Sequence, residues 1–501
     1  MSRHPRAWKL LAAAAAAVAV AGCRPVYDAA YQQELANRYY GGDLAGAAKY
    51  AAAISHDEKD ETTGHALLWH LEAGSVNLDA GNREESMRCL ERAEKLLYLM
   101  DGSSPRFHRP GDANYRGYRS DRLLLHLLKG FNYLDEGRLE DFLVEIRRLR
   151  AEQFRYVLTE ADPEIRGYEA ANFGKTGVPP FAMRDVLGDR DKLGVFQASG
   201  LGGEYTEYSQ RRRPRLPLLY NPLGFYLSAL GYAIDNEYEE AVIDFRYLLM
   251  LDPENRLYRQ DCAALIRALG DQPPEELKNV EKNVSVPADQ TVCVIVARGC
   301  PAGWQTRRLT YRLPGKVPTD WTFSFPEYRA LPDPGFSVKR DDTVLATGSH
   351  LVDLSEVLNE EYWQRTFPRM VDKAYQATIA MTVAHEAAKA SLAAALALPH
   401  DNKAKPLIVA SARLAVASTR IAFVKDVEWR RWVTLPRSYS VAHVQLPPPG
   451  TTRKLTVAVN GTDGKISNFE LEFSPEANRA FVYLREVNQD KFVIKKWESA
   501  E

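Results

Sequence analysis

Hydrophobic residues between Tyr27 and about Leu269 recur at the three- and four-residue intervals that are typical of amphipathic helices. Short polar turns interrupt this pattern again and again. A pair of such helices has too little apolar surface to fold alone, so neighbouring pairs must stack. The pattern therefore predicts an array of helical hairpins over 23–150 and again over 218–272, where a closing helix ends it.

The clearest hairpin runs from Pro222 to Asn255, with a turn at Asn236 between its two apolar faces. Three further units with similar internal spacing contain Gly42, Gly74 and Gly130. Small residues that let paired helices approach, with aromatic residues filling the gap, resemble the tetratricopeptide repeat. That resemblance implies a curved array whose concave side commonly holds an extended peptide or a partner helix.

Three aromatic residues of the clearest hairpin are candidate contacts for a protein partner: Tyr226, Tyr232 and Phe245. The alternative interpretation is that these side chains only fill the core between the helices. Helical spacing alone leaves both interpretations open, because buried and partner-facing aromatics follow the same periodicity.

Between 151 and 217 the helical rhythm breaks, which predicts an irregular insertion. A glycine cluster at Gly200, Gly202 and Gly203 lacks the lysine and the strand-to-helix setting of a phosphate-binding loop. We therefore interpret these glycines as a source of flexibility.

The C-terminal half mixes strands and helices. Residues 287–350 predict a strand-rich segment, in which Thr291–Ala297 is a continuous buried strand and Arg307–Leu313 is a candidate to pair with it. Residues 351–432 predict a helical segment, and 433–501 predict strands that pack with 287–350. The expected fold class is α + β multidomain: a tetratricopeptide-like helical array, then a smaller sandwich-like mixed domain with a helical insertion.

Within the helical segment, a long alanine-rich helix is predicted near 370–398. Its residues Tyr375, Ile379, Val383 and Ala387 fall on one face at helical spacing. An apolar face of this kind requires a partner surface.

The N-terminus has the build of a secretory signal: a basic start, an apolar run over Leu10–Val20, and small residues before Cys23. That run is about half of the roughly 20 residues that a membrane-spanning helix needs. Small residues leading directly to cysteine resemble the lipobox of bacterial lipoproteins, which implies a signal over 1–22 and lipidation of Cys23. An ordinary secretory signal is the alternative. Arg24 is not the aspartate that retains such proteins in the inner membrane of enteric bacteria, so we expect the periplasmic face of the outer membrane.

Composition narrows the functional classes. A formal net charge of −1 provides no overall field that would attract nucleic acid. Five cysteines in 501 residues are too few for a disulfide scaffold. A bond between Cys293 and Cys300 would need a turn between them and is left open.

Catalytic motifs are not found in the sequence. His385-Glu386 lacks the second histidine of a zinc-protease motif, and neither a G-x-S-x-G elbow nor a C-x-x-C pair is present. We therefore predict no catalytic residue, no metal ligand and no cofactor, and we expect a protein that is not an enzyme.

The segment from Asp426 to Trp432 has the most unusual local chemistry, with Trp429 and Trp432 beside Arg430 and Arg431. Such a cluster suits cation–aromatic stacking and is a candidate site for a peptide, a sugar or a partner protein. The alternative is a structural clasp that joins the last helix to the following sheet.

Several passages together resemble an uncharacterised family of bacterial tetratricopeptide envelope lipoproteins. They are Tyr220-Asn221-Pro222-Leu223, Tyr226-Leu227-Ser228, the helix Leu123–Leu134, Arg298-Gly299 with Pro301, and Arg430 through Trp432 to Thr434-Leu435-Pro436. Glu428 and Cys300 depart from the family pattern. Some members are encoded beside lipoproteins that activate penicillin-binding proteins. The resemblance implies a place in envelope assembly or cell-wall maintenance and supplies no catalytic residues.

The resulting hypothesis is a lipid-anchored adaptor that binds a protein partner in the cell envelope. One alternative is a carrier of a lipidic or small ligand, which would need an enclosed apolar cavity. Another is a hydrolase of envelope glycan or lipid, which would need a cleft with convergent acids. The partner and the oligomeric state cannot be predicted from the sequence.

Overall fold

The computed structural model describes most of the chain. The described residues are 29–57, 64–101, 114–159, 181–211, 221–278, 290–301, 303–313, 318–327, 333–397, 429–446 and 453–499, with the isolated positions 280, 286, 287, 399, 406, 409 and 410. Cys23, its predicted signal and Glu428 lie outside the described residues. Within them, no helix is both long enough and apolar enough to cross a membrane.

The N-terminal half is helical, as predicted. Its helices are α1 (Ala29–Tyr40), α2 (Leu44–Asp57), α3 (Ala66–Asp79), α4 (Arg83–Asp101), α5 (Arg119–Asp135), α6 (Leu139–Thr159), α7 (Phe181–Gly188), α8 (Arg190–Ala198), α9 (Gly202–Arg211), α10 (Pro222–Ile234), α11 (Tyr238–Leu251) and α12 (Arg256–Ala268). Helices α1 and α2, α3 and α4, α5 and α6, and α10 and α11 pack as successive hairpins, and α10 also packs on α6. The hairpins therefore stack into one array.

Glycines let the helices of these hairpins approach closely. A Cβ atom added to Gly74 in α3 would lie 2.5 Å from a methyl carbon of Leu90 in α4. The same addition at Gly130 in α5 would meet the ring of Phe142 in α6 at 2.9 Å. These contacts are the physical basis of the small-residue spacing that indicates a repeat.

The hairpins also turn in the same way. Gly42, Gly81, Gly137 and Asn236 occupy equivalent places after the first helix of their hairpins, and each has a positive φ of 61 to 86°. Glycine and asparagine tolerate this left-handed conformation, which ends a helix by satisfying its last carbonyl groups.

The prediction of an irregular insertion over 151–217 is wrong for its described part. Helix α6 continues to Thr159, and α7, α8 and α9 follow, with Gly202 at the start of α9. The flexibility assigned to Gly200, Gly202 and Gly203 is therefore not supported. Apolar residues of these short helices, including Phe196 and Tyr205, are buried against strands and a helix from the C-terminal half. Their order depends on partners that are distant in sequence, so local periodicity did not reveal it.

The C-terminal half contains the remaining elements. The strands are β1 (Thr291–Arg298), β2 (Trp304–Arg312), β3 (Pro318–Pro326), β4 (Phe336–Arg340), β5 (Thr343–Thr347), β6 (Ser349–Asp353), β7 (Ser438–Gln445), β8 (Lys454–Asn460), β9 (Ile466–Glu472), β10 (Arg479–Asn488) and β11 (Lys491–Ser499). The helices are a 3-10 turn (Glu275–Leu277), α13 (Leu354–Glu361), a π-helical turn (Tyr362–Thr366) and α14 (Phe367–Ala397). A mixed sheet region follows the helical half, as expected.

The described strands form three sheets. The first has the order β11-β10-β1-β7-β6, the second is the β2–β3 hairpin, and the third has the order β5-β4-β8-β9. The expected pairing of Arg307–Leu313 with Thr291–Ala297 is wrong, because β1 is parallel to β10 on one edge and antiparallel to β7 on the other. No edge of β1 is left for β2, which pairs with β3 instead.

The first sheet lies between two apolar layers. Val292, Val294 and Val296 of β1 pack with residues of the β5-β4-β8-β9 sheet. Cys293 and Ile295, on the opposite face of β1, pack with the helical array. Both faces of this strand are therefore buried in apolar contacts, which explains its unbroken apolar sequence. Cys293 and Cys300 are free thiols.

We predict opposite effects of the same substitution at two helical glycines. Gly74→Ala forces the new methyl group against the fully buried Leu90 and should lower the free energy of unfolding by about 1–3 kcal/mol. Gly203→Ala, in α9, meets nothing within 4 Å and should raise it by roughly 0.5–1 kcal/mol. Urea denaturation of both variants measures the difference; equal effects would contradict the close approach of α3 and α4.

Candidate functional site: the junction between the repeats and the sheets

Two of the three aromatic residues proposed as partner contacts are core residues. The side chains of Tyr226 and Phe245 are completely buried, and their rings meet edge-to-face at 5.9 Å. The hydroxyl of Tyr226 donates to Asp261 Oδ2 at 3.0 Å. The partner-contact interpretation is therefore wrong for both, because the array and the first sheet enclose them. Tyr232 is half-buried, with the guanidinium carbon of Arg150 5.1 Å from its ring centre.

The tryptophan–arginine segment attaches to the first helices of the array. Trp432 is buried, and its indole N–H donates to Ser75 Oγ in α3 at 3.0 Å and to Thr434 Oγ1 at 3.1 Å. The ring of Trp429 lies 5.5 Å from that of His65, and Arg430 is buried. The segment is a clasp that fastens the chain before β7 to α3; the residues that directly precede it, 411–428, lie outside the described residues.

The centre of this clasp is the carboxylate of Glu72. It accepts the backbone N–H of Val433 at 2.6 Å, the backbone N–H of Thr434 at 3.1 Å and the hydroxyl of Thr434 at 2.6 Å. Gln32 of α1 donates to the same carboxylate at 3.3 Å and also to the carbonyl of Arg431. Polar side chains of two array helices thus bind the backbone of a turn that lies just before β7. We call Glu72, Gln32, Ser75 and residues 429–436 the clasp.

Burial raises the pKa of Glu72 to about 7. The hydrogen bonds from Thr434, Val433 and Gln32 favour the ionised carboxylate and hold the pKa below what burial alone would give. The carboxylate is therefore stabilised by donors rather than by a facing cation.

A second buried network lies beside the clasp and joins α1, α3 and β10. The guanidinium of Arg485 is completely buried and donates to Tyr39 Oη at 3.2 Å. Tyr39 in turn donates to Asp79 Oδ2 at 2.5 Å. Burial raises the pKa of Asp79, and the positive charge of Arg485 opposes that rise. Arg485 also donates to the carbonyl of Leu435 at 3.4 Å, which connects this network to the clasp.

Helix α5 meets the outer strands of the same sheet. The indole N–H of Trp497 in β11 donates to Asp135 Oδ1 at 2.8 Å, and Lys495 forms an ion pair with the same carboxylate. The ring of Phe131 stacks on that of Trp497 at 5.6 Å and lies 4.7 Å from that of Tyr483.

The first helices of three hairpins, α3, α5 and α10, are buried along almost their whole length. The face of the array that carries Gln32, Glu72 and Asp135 is covered by the chain's own clasp and by β10 and β11. Any partner that binds this protein with its fold intact must therefore contact other surfaces.

Sequence reasoning missed Glu72, Asp79 and Arg485. A signal was present in α3, because Glu72, Ser75 and Asp79 lie at helical spacing on one face of an otherwise apolar helix. Nothing in the local sequence marks Arg485, whose partners Tyr39 and Tyr40 lie about 445 residues away.

Two further buried titratable groups are an imidazole and a thiol. His443 Nδ1 lies 3.6 Å from Asp261 Oδ1, and both side chains are buried between α12 and β7. Burial raises the pKa of the Cys293 thiol far above its ordinary value, which disfavours the nucleophilic thiolate. Among the described residues, no group of three or more histidine, cysteine or acidic side chains has a geometry that could hold a metal ion.

Two small cavities lie at the sheets. One of about 130 Å³ is bordered by the β8–β9 and β10–β11 turns, including Asp463, Lys465 and Glu486. The other, of about 80 Å³, lies where Leu134 and Leu139 of the array meet Phe481 and Trp497. Both are below the roughly 300 Å³ that is usual for a drug-sized ligand.

Comparison with known proteins identifies no family. No protein-family model and no curated protein matches the sequence. Among solved structures, a complex of the TPR2AB domain of yeast Sti1 with pHSP90 is similar at 16% identity and a TM-score of 0.18, over 48% of this chain and 83% of that chain. Such a low TM-score carries no argument about fold, so the repeat assignment rests on the hairpins described above.

We predict that removing Arg485 and Asp79 together lowers the free energy of unfolding by less than the sum of the two separate removals. Arg485→Met leaves Asp79 buried without its cation and should lower the free energy of unfolding by about 3–5 kcal/mol. Adding Asp79→Asn removes that uncompensated charge, so the double variant should recover about 0.5–3 kcal/mol relative to the sum of the singles. Strictly additive losses in denaturant titrations would show that the two groups do not interact.

We also predict a pH dependence at Glu72. Its pKa is about 7 in the folded protein against an ordinary 4.5, so the folded state binds this proton more tightly than the unfolded state does. The stability that this difference contributes is complete below about pH 4.5 and is lost as the pH rises through 7. Between pH 5 and 8 the native chain should lose on the order of 1–3 kcal/mol more stability than Glu72→Gln, which has no proton to release there.

The control for this measurement is Glu84→Gln, on an exposed position of α4. This variant should keep the native slope of stability against pH. Burial raises the pKa of Asp121 to about 6, and this residue contributes the same dependence of stability on pH to all three proteins. Identical slopes for the native chain and Glu72→Gln would contradict the assignment.

Proposed function

We propose that this protein is a lipid-anchored adaptor that holds a protein partner at the periplasmic face of a bacterial envelope membrane, in envelope assembly or cell-wall maintenance. The predicted signal over 1–22, which leads directly to Cys23, and the resemblance to envelope lipoproteins support the location. The stacked helical hairpins support a binding role, since such arrays present extended surfaces.

The observation that carries the proposal is the covered face of the array. Glu72, Gln32 and Ser75 bind the chain's own residues 431–434, and the neighbouring strands cover α5. The hairpins are therefore held in place against the sheets, which makes the molecule a rigid scaffold, and its second helices carry exposed side chains. Val144 in α6, and Ile243 and Met250 in α11, are exposed apolar side chains on these helices.

Two other functions receive no comparable support. A ligand carrier would need an enclosed apolar cavity, and a hydrolase would need a cleft with convergent acids. Neither of the cavities of about 130 and 80 Å³ that the described residues border is large enough to favour one of these functions.

We expect a photoreactive amino acid at Ile243 to capture a protein partner in living cells. The control position for the same photoreactive amino acid is Ile466, which is exposed on β9 at the edge of its sheet. This position should give little of the same adduct. Mass spectrometry of the adducts identifies the partner, and Cys23→Ala should lower the yield at Ile243 at least fivefold by releasing the protein from the membrane.

Two results would count against the proposal. An absence of anchor-dependent adducts at Val144, Ile243 and Met250 would remove the support for a partner on the second helices. A signal-cleaved form of Cys23→Ala that stays with the membrane would show that the cysteine is not the anchor.

A further inference from the structure

Helix α14 carries an apolar face that the adaptor hypothesis does not use. The first half of the helix packs through Phe367, Val371, Ala374 and Thr378 onto α7–α9 and the β2–β3 hairpin. On its other side, Ile379 is 40% exposed and Val383 is 63% exposed. The predicted face is therefore open to solvent from Ile379 onward, whereas Tyr375 is half-buried and donates to Asp191 Oδ2 at 3.3 Å.

This face continues to the end of the helix as a narrow stripe. Ile379 and Val383 are followed, at intervals of three and four residues, by exposed alanines that lie on the same side. They are Ala387, Ala390, Ala394 and Ala397. The stripe extends for roughly 27 Å along the helix axis. Its large residues are at one end and its small residues at the other.

This gradient of size makes the stripe complementary to itself in one orientation. If two copies pair antiparallel about a twofold axis near Ala388, Val383 of one lies opposite Ala394 of the other, and Ala387 lies opposite Ala390. Large residues then meet small ones, so the distance between the helix axes stays constant. Parallel pairing would set Ile379 against Ile379 and alanine against alanine, which would force the helices apart at one end.

The charges beside the stripe favour the same arrangement. Glu386 and Lys389 are on one flank, are about 60% exposed and form an ion pair within the helix at 3.3 Å. The antiparallel arrangement brings Glu386 of each copy near Lys389 of the other. These charges add two favourable contacts of a few tenths of a kcal/mol each.

We propose that the stripe from Ile379 to Ala397 binds the same stripe of a second copy of this chain in antiparallel orientation. A single helix stripe buries less than the roughly 1,200 Å² of a stable interface. The dimer is therefore weak, and its formation depends on concentration. This inference is independent of the lipid anchor and of the partner that the adaptor binds.

Disulfide crosslinking tests the orientation. Two differently tagged full-length chains, one with Val383→Cys and one with Ala394→Cys, are produced together in a Cys300→Ser background and oxidised. The mixed dimer should form at least fivefold more than either like-with-like dimer. Equal yields of the three dimers, or a dominant Val383→Cys homodimer, would overturn the antiparallel arrangement.

Sedimentation of the purified chain tests the surface itself. Val383→Lys should raise the dimer dissociation constant at least tenfold, whereas Leu392→Lys, at an exposed position on the opposite side of α14, should leave it unchanged. Circular dichroism confirms that both variants fold. A chain that stays monomeric at high concentration, with Val383→Cys resistant to thiol reagents, would show that another segment of the same chain covers the stripe and would overturn the proposal.

Discussion

The structure depends on one interaction: the buried carboxylate of Glu72 accepts the backbone N–H groups of Val433 and Thr434. A carboxylate without these donors would be very costly to bury in the interior. The donors in turn fix the path of the chain into β7, whose pairing with β1 sets the register of the first sheet. Helical array and sheets are thus joined by a polar contact with defined geometry, within a larger apolar interface.

This junction determines what the protein can do. The face of the array that carries Gln32, Glu72 and Ser75 binds a turn of the protein's own chain, through side chains of α1 and α3. Arg485, Tyr39 and Asp79 extend the contact along the array, and burying so many polar groups together fixes a single arrangement of the two halves. Among the described residues, the outer helices, the sheet edges and α14 remain exposed and are available for association.

Much of the fold follows from local pattern, and the rest depends on distant partners. The hairpins were predictable because the contacts and turns made by Gly74, Gly81 and Asn236 involve residues within about 20 positions. Strand β1 was predictable because both of its faces are buried in apolar contacts. The pairing of β2, the order of α7–α9 and the burial of Tyr226 were not predictable, since each is decided by elements far away in sequence. The clasp was assigned to the right residues, but its partner Glu72 lies 361 positions from Val433.

Hydrogen–deuterium exchange at the amides of Val433 and Thr434 tests the central claim most directly. If the clasp joins the two halves into one unit, these amides exchange only with global unfolding, at the same protection as the amides of α3 and β1. Glu72→Ala should then lower their protection at least tenfold. Rapid exchange of Val433 and Thr434 in the native chain, while α3 remains protected, would contradict the account.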